Sequence, residues 1–144
     1  TLDMLAALGK TFPLGLLSNF THPPAARAIL DDTGMAEHFQ TLIISGDLGL
    51  RKPHPGSFSA LTESMGVAAH QMLYIGDNPE ADVDGSFQAG MRPVWMTYVR
   101  DNKLSFAPGV AAEQKDSPLV QSLRINTWSG LMDLVDNGRE QWTA

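Results

Sequence analysis

Four of the sixteen acids in this 144-residue chain, Asp77, Glu80, Asp82 and Asp84, fall within eight residues. Like charges repel, so such a cluster is either simply solvated or arranged to hold a cation, and carboxylate oxygens are the hard donors that magnesium takes. Ser18 and Asn19 bring a hydroxyl and an amide able to hydrogen-bond an oxyanion, and Lys52 brings a compact positive charge suited to a phosphoryl group. Together they are the groups of phosphate chemistry, provided the fold presents them at one edge.

The elements expected to position them follow from hydrophobic spacing. Short apolar runs bounded by Gly, Pro or Asp alternate with segments of helical period, the pattern of βα units and a parallel sheet. Residues 1–8 predict a helix with Leu2, Leu5 and Leu8 on one face. Residues 12–18 predict a buried strand, and Pro23 and Pro24 open a helix that Gly34 ends. Leu42 to Ile44 predicts a second strand, followed by a Gly- and Pro-punctuated loop from Gly46 to Pro55.

Phe58, Leu61 and Met65 mark the next helix, closed by Gly66, and residues 72–75 a third strand ended by Gly76. Pro79 opens a helix with Val83 and Phe87 on one face, and residues 93–97 predict a fourth strand. Residues 99–121 read as a long loop, residues 123–125 as a short edge strand, and Ser129 as the cap of a last helix. The expected fold is α/β, a doubly wound, Rossmann-like parallel sheet with helices on both faces, in a single domain over residues 1–144. In such sheets ligands bind beyond the carboxyl ends of the strands. Ser18, Asn19, Lys52 and Asp77 all follow strands, and Asp82 lies one helical turn further on. The local pattern leaves two readings of the acids open: a cation site, or a solvated face complementing the positive end of a helix.

Composition narrows the classes. Hydrophobic residues make up 43% and charged residues 18%, as in ordinary globular proteins. There is no cysteine, which excludes disulfides, thiol catalysis and cysteine-ligated metals. The net charge of −6 and the absence of any Lys/Arg stripe argue against nucleic acid or an anionic membrane as partner. No apolar run approaches the ~18 residues of a membrane helix, and the expected location is the cytoplasm. The histidines, 22, 38, 54 and 70, show no helical pairing, and the glycines form no nucleotide-phosphate loop. Ser18 lacks a GxSxG context, which disfavours a serine hydrolase. Trp95 reads as core.

Three fragments, Leu17-Ser18-Asn19, Arg51-Lys52-Pro53-His54-Pro55 and Tyr74-Ile75-Gly76-Asp77-Asn78-Pro79-Glu80-Ala81-Asp82, the last followed by Gly85-Ser86-Phe87-Gln88-Ala89-Gly90-Met91, resemble motifs two, three and four of the haloacid dehalogenase (HAD) superfamily. They stand in the family's order, and the resemblance runs from Thr1 to about Tyr98. It implies a magnesium-dependent phosphohydrolase acting on a small phosphorylated substrate through an aspartyl-phosphate intermediate. By position, Ser18 would hydrogen-bond the phosphoryl group with Asn19 beside it, Lys52 would neutralise its charge and steady the nucleophile, and Asp77 with Asp82 would hold Mg2+. Ser18, Lys52 and Asp77 are then the expected catalytic set. True dehalogenation is disfavoured, because that chemistry does not use magnesium. A response-regulator receiver is disfavoured because there the acids precede the Ser/Thr and Lys.

One departure matters. The family's nucleophile comes from a DxDx(T/V) motif on an N-terminal strand, and the only DxD here is Asp82-Val83-Asp84, inside motif four. The chain is therefore expected to be the C-terminal part of such a hydrolase, without nucleophile motif and cap, and inactive alone. The alternative is a non-catalytic phosphate- and magnesium-binding pseudo-hydrolase or regulatory module. In the family's sheet the first strand lies between those ending at Ser18 and Ile75, so two exposed strand edges are expected, with self-association or pairing with an N-terminal segment as the partner expectation.

Overall fold

The computed structural model describes residues 1–104 and 122–142, with side chains described to residue 138. The chain divides into two compact units, Thr1–Val67 and Ala68–Ala144.

The first unit is built on two strands. Helix α1 (Leu2–Gly9) precedes β1 (Gly15–Ser18), and α2 (Pro23–Asp32) leads to β2 (Thr41–Ile44), which pairs parallel to β1 with Ser18 opposite Ile44. Helix α3 (Ser45–Leu48) and helix α4 (Pro55–Met65) follow, and α4 packs on both strands. The contact between α4 and β1 is close: a side chain on Gly15 would meet Met65 Sδ at 2.9 Å and Leu61 Cδ1 at 3.1 Å. Phe58 and Ile44 are fully enclosed in this core, each burial worth about 1.5–3 kcal/mol. Gly66, at φ 64°, stops α4 in the left-handed conformation open to glycine.

Histidines open the two long helices that follow β1 in the first unit. His22 Nδ1 accepts the Ala25 N–H at 3.1 Å ahead of α2, and His54 Nδ1 accepts the Gly56 N–H at 3.1 Å ahead of α4, each followed by proline at the first helical position. Both are exposed, as expected of surface histidines.

In the second unit β3 (Leu73–Gly76) pairs parallel with β4 (Arg92–Met96), and β4 with β5 (Leu123–Ile125). Gly76 stands opposite Trp95, and Trp95 opposite Arg124. Between β3 and β4 the chain makes a π-helical segment (Pro79–Asp84) that runs into α5 (Gly85–Gln88). A short α6 (Tyr98–Asp101) follows β4, and α7 (Trp128–Trp142) follows β5. Trp95 is core, 4% exposed. Among the described residues β1 has β2 as its one strand partner and β3 has β4.

Several expectations need correction. The loop after β2 begins with one helical turn, α3, too short to leave a hydrophobic period. It is seated by Ser45 Oγ and Gly46 N–H, both donating to the Phe20 carbonyl at 3.1 and 3.0 Å. Leu2 is 42% exposed although Leu5 and Leu8 are buried, because it lies in the helix's first turn. Val83 is 1% exposed while Phe87 is 41% exposed. The Val83 N–H reaches five residues back to the Asn78 carbonyl (3.2 Å), and this wide turn shifts the phase that puts residues four apart on one face. The last helix is capped by Thr127, whose Oγ1 accepts the Gly130 N–H at 3.1 Å, and Ser129 lies inside it. Of the long loop, residues 99–101 belong to α6 and residues 105–121 lie outside the described residues. No helix among the described residues is long and apolar enough to cross a membrane.

Candidate active site

Ser18 is the last residue of β1, half-buried, with Asn19 directly after it. The Asn19 side chain closes a two-point clamp on Lys52: its Nδ2 donates to the Lys52 carbonyl at 2.9 Å, and its Oδ1 accepts the Lys52 N–H at 2.8 Å. An amide carries donor and acceptor on one planar group, so it can match a backbone N–H and C=O together as a hydroxyl or carboxylate cannot. Asn19 therefore fixes the main chain of Lys52 33 residues away in sequence and brings the Lys52 segment to the carboxyl end of β1. Within the first unit Asn19, directly after Ser18, ties Lys52 to the end of β1; the clamp is a role for Asn19 that the sequence left unsuspected.

Asp77 follows β3 in the second unit, and Asp82 lies in the π-helical segment. Asp82 is 5% exposed. Its Oδ2 accepts the backbone N–H of Asp77 at 3.2 Å and of Asn78 at 3.0 Å, so the buried carboxylate sits on the backbone of the very residue with which it was paired from spacing. Charge-assisted bonds to backbone amides offset the cost of burying that charge. Asn78 caps the segment, its Oδ1 accepting the Ala81 N–H at 2.8 Å.

Gly76 makes room: a Cβ there would collide with the Asp82 Cβ and Cγ atoms and come within 2.6 Å of Oδ2. The glycine of the GDxxxxD segment is thus a matter of space, since the carboxylate occupies the volume where any other side chain would begin. Below it, burial first and the Asp82 charge second push the Tyr74 phenol far above its ordinary value, which keeps it protonated.

The donor set fits a hard divalent cation in kind, two carboxylates with no sulfur or imidazole. It is incomplete in number, since among the described residues no group of three His, Cys, Asp or Glu side chains converges as a metal cluster. On the far side of Asp77 stands a residue that sequence reasoning assigned to the core alone: the Trp95 Nε1–H donates to the Asp77 carbonyl at 3.3 Å. No local spacing could have shown it, because the two residues meet only through the pairing of β3 with β4.

A family model described as haloacid dehalogenase-like hydrolase matches residues 1–90. The chain belongs to the haloacid dehalogenase-like hydrolase family. Its relatives include a phosphoserine phosphatase of Thermus thermophilus, 41% identical over 83 residues, covering 58% of this chain and 33% of that protein. A phosphoglycolate phosphatase of Escherichia coli is 37% identical over 97 residues, covering 67% of this chain and 38% of that protein. Among solved structures, a 2-haloacid dehalogenase from Pseudomonas syringae pv. Tomato superposes with a TM-score of 0.73 at 27% identity, over 94% of this chain and 51% of that one. The chain thus spans about a third of these curated relatives and about half of that solved structure. The α/β architecture with parallel sheets is the one these neighbours share.

Proposed function

We propose that this chain carries the phosphate- and cation-binding residues of a magnesium-dependent phosphatase that acts on a small phosphorylated metabolite, and that residues 1–144 belong to a single HAD-like domain. The observation that carries this reading is the ordered set of strand-end residues inside the matched segment 1–90: Ser18 and Asn19 after β1, Lys52 clamped there by Asn19, then Asp77 with Asp82 after β3. The relatives named as phosphoserine and phosphoglycolate phosphatases support the substrate class.

Each role follows from chemistry. The Ser18 hydroxyl donates to a phosphoryl oxygen. The Lys52 ammonium, on a stem whose backbone is fixed at two points, offsets the charge gathered on the equatorial oxygens of the transferring group. Asp77 and Asp82 would hold Mg2+, which when bound supplies positive charge to a phosphoryl oxygen. Asp82 keeps one oxygen on the Asp77 and Asn78 amides and so sets the loop that presents Asp77. In an enzyme of this type the phosphoryl group passes to an aspartate and then to water, which splits one hard displacement into two easier ones.

These 144 residues hold no DxDx(T/V) to supply that aspartate. The chain alone is therefore expected to hydrolyse p-nitrophenyl phosphate no faster than background with Mg2+ present. Robust turnover that Asp77→Asn abolishes would overturn the assignment and place the nucleophile within these residues. The second reading is a pseudo-hydrolase that binds phosphate and Mg2+ without turnover. A strand ending in DxDx(T/V) encoded upstream of Thr1 selects the first reading; a strand without the leading aspartate selects the second.

A further inference from the structure

We infer that Trp95 is a positioning residue for Asp77, and that Arg100 and Arg124 hold its indole in place. The inference rests on the reading of Asp77 as the cation-facing carboxylate.

One peptide group beside Asp77 is held on both sides. The unit joining Asp77 to Asn78 presents the Asp77 carbonyl on one side and the Asn78 N–H on the other. Its carbonyl accepts from Trp95 Nε1 at 3.3 Å, and its N–H donates to Asp82 Oδ2 at 3.0 Å. The preceding unit is held too, through the Asp77 N–H on the same Asp82 oxygen at 3.2 Å. With the peptides on both sides of its Cα fixed, Asp77 keeps little freedom in φ and ψ, and the direction in which its side chain leaves the backbone is set before any ligand arrives. Preorganisation of this kind removes an ordering cost from binding.

Trp95 suits the task. It pairs in register with Gly76, the residue just before Asp77, and it is 4% exposed. The Arg100 and Arg124 guanidiniums lie 5.1 and 5.2 Å from its ring centroid, within the range of cation–π attraction. Arg124 is itself fixed, by register opposite Trp95 and by its Nη2 donating to Asp101 Oδ1 at 2.8 Å. Thr97, at the end of β4, donates its hydroxyl to Asp101 Oδ2 at 2.7 Å. A chain of contacts thus runs from Asp101 through Arg124 and the indole to the Asp77 carbonyl, carried by β4, α6 and β5.

Trp95→Phe keeps an aromatic ring for the guanidiniums and removes the donor. Amide hydrogen exchange on the labelled chain should quicken at Asp77 and Asn78 by about fivefold, the equivalent of one ordinary hydrogen bond, while the remaining β4 amides stay within about twofold. Mg2+ titration followed at the same two amides should show an affinity lower by about fivefold. In the wild-type chain, whether or not the variant folds, the Trp95 indole N–H should exchange much more slowly than that of Trp128, which is 40% exposed. Unchanged exchange at Asp77 and Asn78 in a folded Trp95→Phe, or a wild-type Trp95 indole exchanging as fast as Trp128, overturns the inference. Wild-type Asp77 and Asn78 amides that ignore Mg2+ overturn the cation reading instead, and the exchange results still decide whether Trp95 fixes the loop.

Discussion

Gly76 and Asp82 share one volume: a Cβ on residue 76 would collide with the Asp82 side chain. Gly76→Ala should displace the Asp82 carboxylate and cost about 1–3 kcal/mol in denaturant unfolding, the usual range for overpacking a filled site. An unchanged midpoint and slope would mean that the loop yields freely. Ser57 makes the opposite case. It is fully buried in α4, and its Oγ is the one buried side-chain atom among the described residues without a hydrogen-bond partner. Ser57→Ala should therefore be neutral or stabilising by up to about 1 kcal/mol, since no bond is lost and an unsatisfied group is removed. Both residues have a sequence signature only in hindsight: the glycine before Asp77 reads as a strand end, and Ser57 as a polar residue early in a helix. Their roles depend on what packs against them, and one-dimensional spacing does not carry that.

At the scale of elements the sequence was more informative. Strand ends were legible to within about three residues because apolar runs stop at Gly, Ser or Asp, and Gly34 and Gly66 ended their helices where expected. The π-helical segment was not legible, because its wide turn breaks the period of four that suggested a common face for Val83 and Phe87. Its start rests on Asn78, so Asn78→Ala should cost about 1 kcal/mol through the lost cap and should weaken whatever cation affinity Asp77 and Asp82 have; an unchanged melting temperature would contradict that role. The far side of the same unit has a pH signature. The Thr97 hydroxyl first, then the hydrogen bond and charge of Arg124, hold the Asp101 carboxyl below its ordinary value. A depressed carboxylate contributes stability above its unfolded value and loses it as pH falls through the folded one. Acid unfolding of Asp101→Asn should therefore lack a step below the usual carboxylate range that the wild type shows, and identical acid profiles would remove Asp101 from the account.

For the whole molecule, the candidate site is legible in kind and in chain order: hydroxyl and amide after β1, lysine after β2, carboxylates after β3. Its two supports, the Asn19 clamp on Lys52 and the Trp95 bond to Asp77, were not, since each joins residues distant in sequence through strand pairing or loop return. The family match covers residues 1–90, the segment that contains Ser18, Asn19, Lys52, Asp77 and Asp82. Ser18 and Lys52 are proposed to form a phosphate site. The direct measurement is a chemical-shift titration of the chain with inorganic phosphate in the presence of Mg2+, repeated on Lys52→Ala. Saturable shifts centred on Ser18, Asn19 and Lys52 are expected in the wild type, and their loss in the variant. Phosphate that leaves those resonances unmoved up to tens of millimolar, or that shifts both proteins alike, would contradict that assignment.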